Sequence, residues 1–385
     1  MTRRHITRSI AMAAGIALAG ATLVGSNALA ASPPRTAGPA LAHTFSGRLY
    51  GVTATSATNA WAVGLHPNSS LIVHWNGHSW SQALAGDGFF ESVAATSATN
   101  AWAVGGTGWF TTEPMVYHWN GQSWTQATVP DPRLGGHFTS VTAISADDVW
   151  AVGLTGGGPG DGIGKNNVTL IEHWNGQAWS LVRSPAPSPE SGLDGVSGIS
   201  ATDAWAVGWT GVAGNNGTYR TLILRWNGRA WRRVPSPSGV PGVRTGLNAV
   251  LTLSAQDAWA VGGSHQNRNR LVFIVHWDGR AWIKVHSPTP GLGATLLGIG
   301  GSSPSSIWAV GQTTIYGGCS PANCADAIVH WNGHRWSVVQ APNPPSGYLN
   351  SLFGVAVTSA GNAWAVGTTD YQNTLIARWN GHHWS

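Results

Sequence analysis

Charge is scarce in this chain. It has 20 basic and 15 acidic residues among 385, a charged fraction of 9% where soluble domains usually carry about a quarter. The formal net charge of +5 shrinks further, because Arg3, Arg4 and Arg8 stand in an expected leader whose removal leaves 17 minus 15, or +2. Such a balance leaves no electrostatic footprint for nucleic acid. Long apolar runs are missing too: beyond the leader nothing reaches 18 consecutive apolar residues, so no membrane span is expected. Cysteine is reduced to Cys319 and Cys324 in a Gly/Pro-flanked loop. Two thiols with no nearby histidine pair do not complete a zinc site, and outside the cytoplasm they read as a small loop-closing disulfide. What the chain does have is 52 Gly, 23 Trp and a hydrophobic fraction of 42%, enough apolar surface to exclude disorder.

The first 30 residues read as an export signal. Met1 to Arg8 carry three arginines, Ile10 to Gly25 are apolar, and Ala28-Leu29-Ala30 is a small-x-small cleavage site. Thr2 to Arg8 resembles a twin-arginine leader, and the twin-arginine and general secretory routes both remain open. The mature protein is expected to be secreted.

A repeat decides the fold. Trp-Ala-Val-Gly, or its equivalent, begins at Trp61, Trp102, Trp150, Trp205, Trp259, Trp308 and Trp364. Each copy is followed by [His/Arg]-Trp-[Asn/Asp]-Gly-x-x-Trp, whose first tryptophans are Trp75, Trp119, Trp174, Trp226, Trp277, Trp331 and Trp379. Three tryptophans per unit in seven units account for 21 of the 23. A serine stands five residues before each leading tryptophan, and Asn, Asp or Ser stands two before it. Each unit reads as four short strands: an apolar stretch ending at the serine, Trp-Ala-Val, the stretch into the second motif, and a strand from its last tryptophan. Ser-Ala-x-[Asn/Asp] suits a tight turn whose side chains bond the backbone two residues on. Asn-Gly predicts a two-residue type I′ hairpin, in which Trp75 would face His78 and Val73 would face Trp80. Sheets apolar on both faces cannot stand alone, and seven stacked around an axis bury one another. The expected fold is all-β: a seven-bladed β-propeller of four-stranded antiparallel blades over residues 46–385. Residues 31–45 are expected to form an N-terminal segment whose strand closes the ring, since Pro39-Ala40-Leu41-Ala42 looks like Gln82-Ala83-Leu84-Ala85 of the first outer strand.

In such a ring the uniform turns share one face and the variable loops share the other. The second-to-third loops run from 9 residues between Gly64 and His74 to 19 between Gly153 and His173. Both unrepeated tryptophans, Trp109 and Trp209, fall in this loop set with Tyr219, Tyr316 and Tyr371, and these five are the candidate ligand-binding residues. The repeated His74, His118, His173, His276 and His330 give way to Arg225 and Arg378 in two units, which suits a hydrogen bonder and not a metal ligand. Loop acids Asp161, Glu113, Asp326 and Asp370 are the candidates for acid/base chemistry, but nothing in the sequence pairs them, so no catalytic residue is assigned. Gly156 to Gly164 with Lys165 lacks the first Gly and the Ser/Thr of a phosphate loop.

Ser-Ala-x-Asp-Ala-Trp-Ala-Val-Gly, then Leu-Ile-x-His-Trp-Asn-Gly-x-x-Trp, then Ser-Pro-x-Pro resembles a repeat of secreted proteins from high-GC soil bacteria, placed among kelch or galactose-oxidase-like propellers. The 18 Arg against 2 Lys fit that resemblance. The similarity is to the architecture. No counterpart of galactose oxidase's copper ligands is recognisable, so its oxidase activity is not implied. The function expected is a secreted, monomeric, non-enzymatic propeller that binds a glycan or an extracellular protein through its variable-loop face, with no cofactor and no metal. The alternatives are an extracellular polysaccharide hydrolase or lyase using loop carboxylates, and a structural spacer of the envelope.

Overall fold

The computed structural model describes residues 45–385 except 68, 109–112, 131, 133–134, 156–167, 189, 212–218, 238–242, 267–268, 289, 291–292, 314–324, 343–349 and 371. Every regular element among the described residues is a strand, so none is a helix long and apolar enough to cross a membrane. In the first blade the strands are Arg48–Ser56, Asn59–His66, Ser69–Trp75 and Trp80–Gly86, paired in chain order and antiparallel throughout. Six blades have this four-stranded form. The seventh has three long strands, Asn350–Ser359, Asn362–Thr369 and Asn373–Trp379, and its outer position is shared by two short pieces. Trp384 bridges to Trp379, and Ser46 bridges to Asn373 at the other end of the same strand. The Thr374 amide donates to the Phe45 carbonyl at 2.8 Å, and the Arg378 amide to that of Ser385 at 2.8 Å. Residues near both ends of the described chain therefore close one blade. The expected pairing of Pro39 to Ala42 lies outside the described residues.

The repeat tryptophans form the seams. Trp61 of blade one meets Trp119 and Trp124 of blade two, with ring centroids 4.9 and 5.2 Å apart. The same triad recurs at Trp102, Trp150, Trp205, Trp259 and Trp308, and Trp364 of blade seven meets Trp75 and Trp80 of blade one at 5.0 and 5.1 Å. Seven buried clusters result, each shared between two neighbouring blades. The offset and edge-to-face geometries are those that aromatic quadrupoles favour.

The turns account for the invariant polar residues. Ser56 Oγ accepts from the Thr58 amide at 3.2 Å, and the Trp75 indole N–H donates to the Ala57 carbonyl at 3.1 Å. The second turn differs from expectation. Trp75 pairs directly with Trp80, and Val73 with Gln82, so the loop has four residues and not two. Asn76 Oδ1 accepts from both the His78 and Ser79 amides at 3.0 Å, and only Gly77 takes positive φ, at 95°. The asparagine acts through its side chain as an Asx cap, which removes the need for positive φ at its own backbone.

The repeated [His/Arg] position is a hydrogen bonder, as expected. His74 Nε2 lies 2.8 Å from Asn59 Oδ1 and stacks on Trp61 with centroids 4.0 Å apart. His173 and His276 pair with Asp148 and Asp257 at 2.8 and 2.9 Å, and Arg225 makes a two-pronged bond to Asp203 at 2.9 and 3.0 Å. Burial holds His74, His118 and His330 below the usual imidazole pKa. These side chains couple the second and third strands of one blade, and each sits in its own blade, away from the axis.

Candidate functional site

The inner strands carry a second repeat that is chemically irregular. Each has a register shift at its serine-turn end and another, a β-bulge, in its first half, where one residue is skipped: Tyr50, Glu91, Thr139, Asp194, Asn248, Leu297 and Phe353. A bulge re-aims the extra side chain out of the pleat. All seven line a central cavity of about 200 Å³. The next residue is always small: Gly51, Ser92, Ser140, Gly195, Ala249, Gly298 and Gly354. The reason is close approach of neighbouring inner strands. A Cβ on Gly51 would lie 2.9 Å from the Ser92 Cα, and one on Gly298 only 2.6 Å from the Phe353 carbonyl oxygen. Gly298→Ala is expected to destabilise the ring by about 1–3 kcal/mol through this overpacking, read as a lower denaturant midpoint at unchanged m.

Bonds between blades fix the cavity wall. Thr139 Oγ1 donates to the Leu193 carbonyl at 2.7 Å, and Asn248 Nδ2 to the Leu296 carbonyl at 2.6 Å. The Val141 and Val196 amides donate to Ser92 and Ser140 Oγ, both at 3.2 Å. Glu91 and Asp194 accept no such bond among the described residues. Burial pushes the Glu91 carboxyl up to about 7, and burial together with the Glu91 charge pushes Asp194 up to about 7. Both side chains are half-buried. Tyr50 is raised by burial and by Glu91, against an opposing effect of Arg48.

The lining divides into two arcs. Glu91, Thr139, Asp194 and Asn248 follow one another on blades two to five, while Leu297, Phe353 and Tyr50 occupy blades six, seven and one. Tyr50 and Phe353 meet edge to face at 5.3 Å. One half of the cavity wall is polar and acidic, and the other is apolar and aromatic.

Of the aromatics singled out in the sequence, Trp209 and Tyr219 come together, with centroids 4.7 Å apart at 66°. Both are strand residues and not loop residues: Trp209 pairs with Gly192 and Thr221, and Tyr219 opens the third strand of blade four. The indole lies over Gly192, where an added Cβ would meet its ring at 3.0 Å, and the Arg244 guanidinium lies 5.6 Å from the Tyr219 ring. Gly192 is two residues from Asp194 along the inner strand, so this cluster adjoins the cavity. Trp109, Tyr316, Tyr371, Asp161, Cys319 and Cys324 lie outside the described residues. The described loop acids Glu113, Asp326 and Asp370 do not line the cavity. Asp326 is buried at the start of a third strand, where burial raises its carboxyl to about 8. Glu91 and Asp194, the acids that do line it, were hidden inside strands in the sequence reading. The signal that could have found them is the small residue five positions before every repeat serine, which marks its predecessor as the bulge. Among the described residues no group of three or more His, Cys, Asp or Glu is placed to hold a metal ion.

Fold and cavity define a seven-bladed β-propeller with seven different side chains around its axis. No family profile matches the chain, and no curated protein does. Among solved structures it is similar to YCF48 bound to D1 peptide, at 15% identity and TM-score 0.54, covering 89% of this chain and 98% of that one. It is also similar to the Cps50 (Swd1) β-propeller domain of Myceliophteria thermophila, at 10% identity and TM-score 0.53, covering 88% and 99%. A polysaccharide lyase of family PL25, an ulvan lyase bound to its saccharide, matches at 8% identity and TM-score 0.57, covering 86% and 92%. At these identities the likeness is one of fold.

Proposed function

We propose that this chain is a secreted, non-enzymatic binding module that holds a glycan or a segment of an extracellular protein at the variable-loop mouth of its central cavity. One observation carries the reading. Seven repeats keep the same seams and turns, yet the single residue that each sends to the axis is different in every blade. A rigid frame presenting an irregular lining is how scaffolds place specificity. The bulge residues stand near the start of each inner strand, the end that the variable connectors enter, with Trp209 and Tyr219 beside them. The export signal expected in residues 1–30 supports a location outside the cytoplasm. A glycan array and a pulldown from cell-wall and secreted fractions test this: retained ligand is expected, weakened at least tenfold by changes at the cavity lining. A wild-type chain that captures nothing removes the proposal.

A second reading, a polysaccharide hydrolase or lyase, is favoured by the two cavity carboxyls held near neutrality, where acid/base groups work best. Turnover of a captured polysaccharide, abolished by Glu91→Gln or Asp194→Asn with binding intact, would establish it over the binding module.

A further inference from the structure

We propose that the cavity takes a slender organic cation, the side chain of a lysine presented by an extracellular protein segment, with its ammonium between Glu91 and Asp194. The proposal rests on the binding reading above and selects the partner class.

Shape is the first argument. At the bulge level the inner strands touch backbone to backbone, as the 2.6–3.0 Å clearances at Gly51, Gly195, Gly298 and Gly354 show, and the cavity is only about 200 Å³. A single unbranched side chain suits such a bore better than a sugar ring does. The second argument is the division of the wall. A lysine has four methylenes and a charged tip, and the cavity offers Leu297, Phe353 and Tyr50 on one arc against Glu91 and Asp194 on the other. Long basic side chains lay their stems on apolar surface while the head seeks a polar site. The third argument is what the two acids lack. Thr139 and Asn248, on the same arc, spend their donors on the carbonyls of neighbouring blades. Among the described residues neither carboxyl receives a hydrogen bond, and none of those lining the cavity is basic. Asn248 Oδ1 stays available as a third acceptor beside them. An incoming ammonium carries three donors, the number that this arc can satisfy. The charged and titratable groups facing the pair are each other and Tyr50, with Arg48 beside Tyr50. Ionised carboxylates bind the cation, so affinity should rise as pH passes upward through about 7.

The test uses the full folded chain and Nα-acetyl-lysine methylamide as probe, with the Nε-acetyl-lysine and norleucine analogues and D-glucosamine as comparisons, read by ligand-observed NMR and calorimetry. The lysine compound is expected to bind at least tenfold tighter than either analogue, and tighter at pH 8 than at pH 6. Glu91→Gln and Asp194→Asn should each weaken it about fivefold or more, with melting temperature and tryptophan emission confirming the fold. Equal binding of norleucine, no binding of any probe, unchanged affinity in the double variant, or tighter binding of glucosamine would each overturn the assignment. Capture of a glycan or protein that persists in the double variant would sink the channel assignment alone and leave the binding module standing.

Discussion

Trp364→Ala is expected to cost about 3–5 kcal/mol, the usual loss for truncating a buried aromatic, and to lower Tm by roughly 4–7 °C in a chain of this size. Trp364 is 4% exposed and packs against Trp75 and Trp80, joining the last blade to the first. Arg378 adds its guanidinium 5.0 Å from the same ring. Every other seam has a covalent connector running from one blade to the next. At the Trp364 seam the piece that runs on into blade one, Phe45–Ser46, is joined to the rest of blade seven by hydrogen bonds to Asn373 and Thr374 and not through the chain, so this seam depends on that short pairing and on side-chain packing. The matched change Trp205→Ala, at the boundary of blades four and five, removes a similar contact where the chain itself still ties the neighbours. Trp364→Ala should therefore raise amide exchange first in Arg48–Ser56 and Asn373–Trp379, whereas Trp205→Ala should not. Identical exchange patterns in the two variants would show that closure is no weaker than any other seam.

The second large effect is a gain. Glu172 is fully buried in the third strand of blade three, and neither carboxyl oxygen has a hydrogen-bond partner among the described residues. The same position holds Val73, Leu224, Val275, Val329 and Ala377 in other blades, all fully buried. Burial raises the Glu172 carboxyl from 4.5 to about 8. The folded state then holds a proton that the unfolded chain releases, so stability is greatest below about pH 4.5, falls as pH rises, and levels off above about 8. At pH 7 the penalty is roughly 3 kcal/mol, at 1.36 kcal/mol for each pH unit above the unfolded value. Glu172→Leu should recover most of it and flatten the fall in unfolding free energy between pH 5 and 8, measured by urea titration at each pH. Asp326 keeps a slope of the same sign, since its raised carboxyl is also buried without a partner among the described residues. A variant less stable than the parent at pH 7, or with an unchanged slope, would show that Glu172 has a stabilising partner.

The seams were legible in the sequence because tryptophan spacing reports packing directly: three rings per unit, always at the same separations, can only repeat one contact. The turns were half legible. Serine and asparagine marked their places, but the Asn76 side chain caps two amides and lengthens the loop, so the register beside it moved by two residues. Trp209 and Tyr219 read as loop residues in the sequence because nothing in the motif says where a strand stops. The cavity lining was the least legible part. A bulge is one residue long and breaks the alternation that would reveal it, so Glu91 and Asp194 read as polar interruptions within apolar strands. Only comparison of all seven units at the small residue that follows exposes the pattern.

Because each wedge contributes one side chain to the axis and meets its neighbours through interchangeable joints, the molecule resembles a combination lock with seven dials. Exchanging one wedge for another would rewrite a single letter of what the bore accepts while leaving the casing untouched.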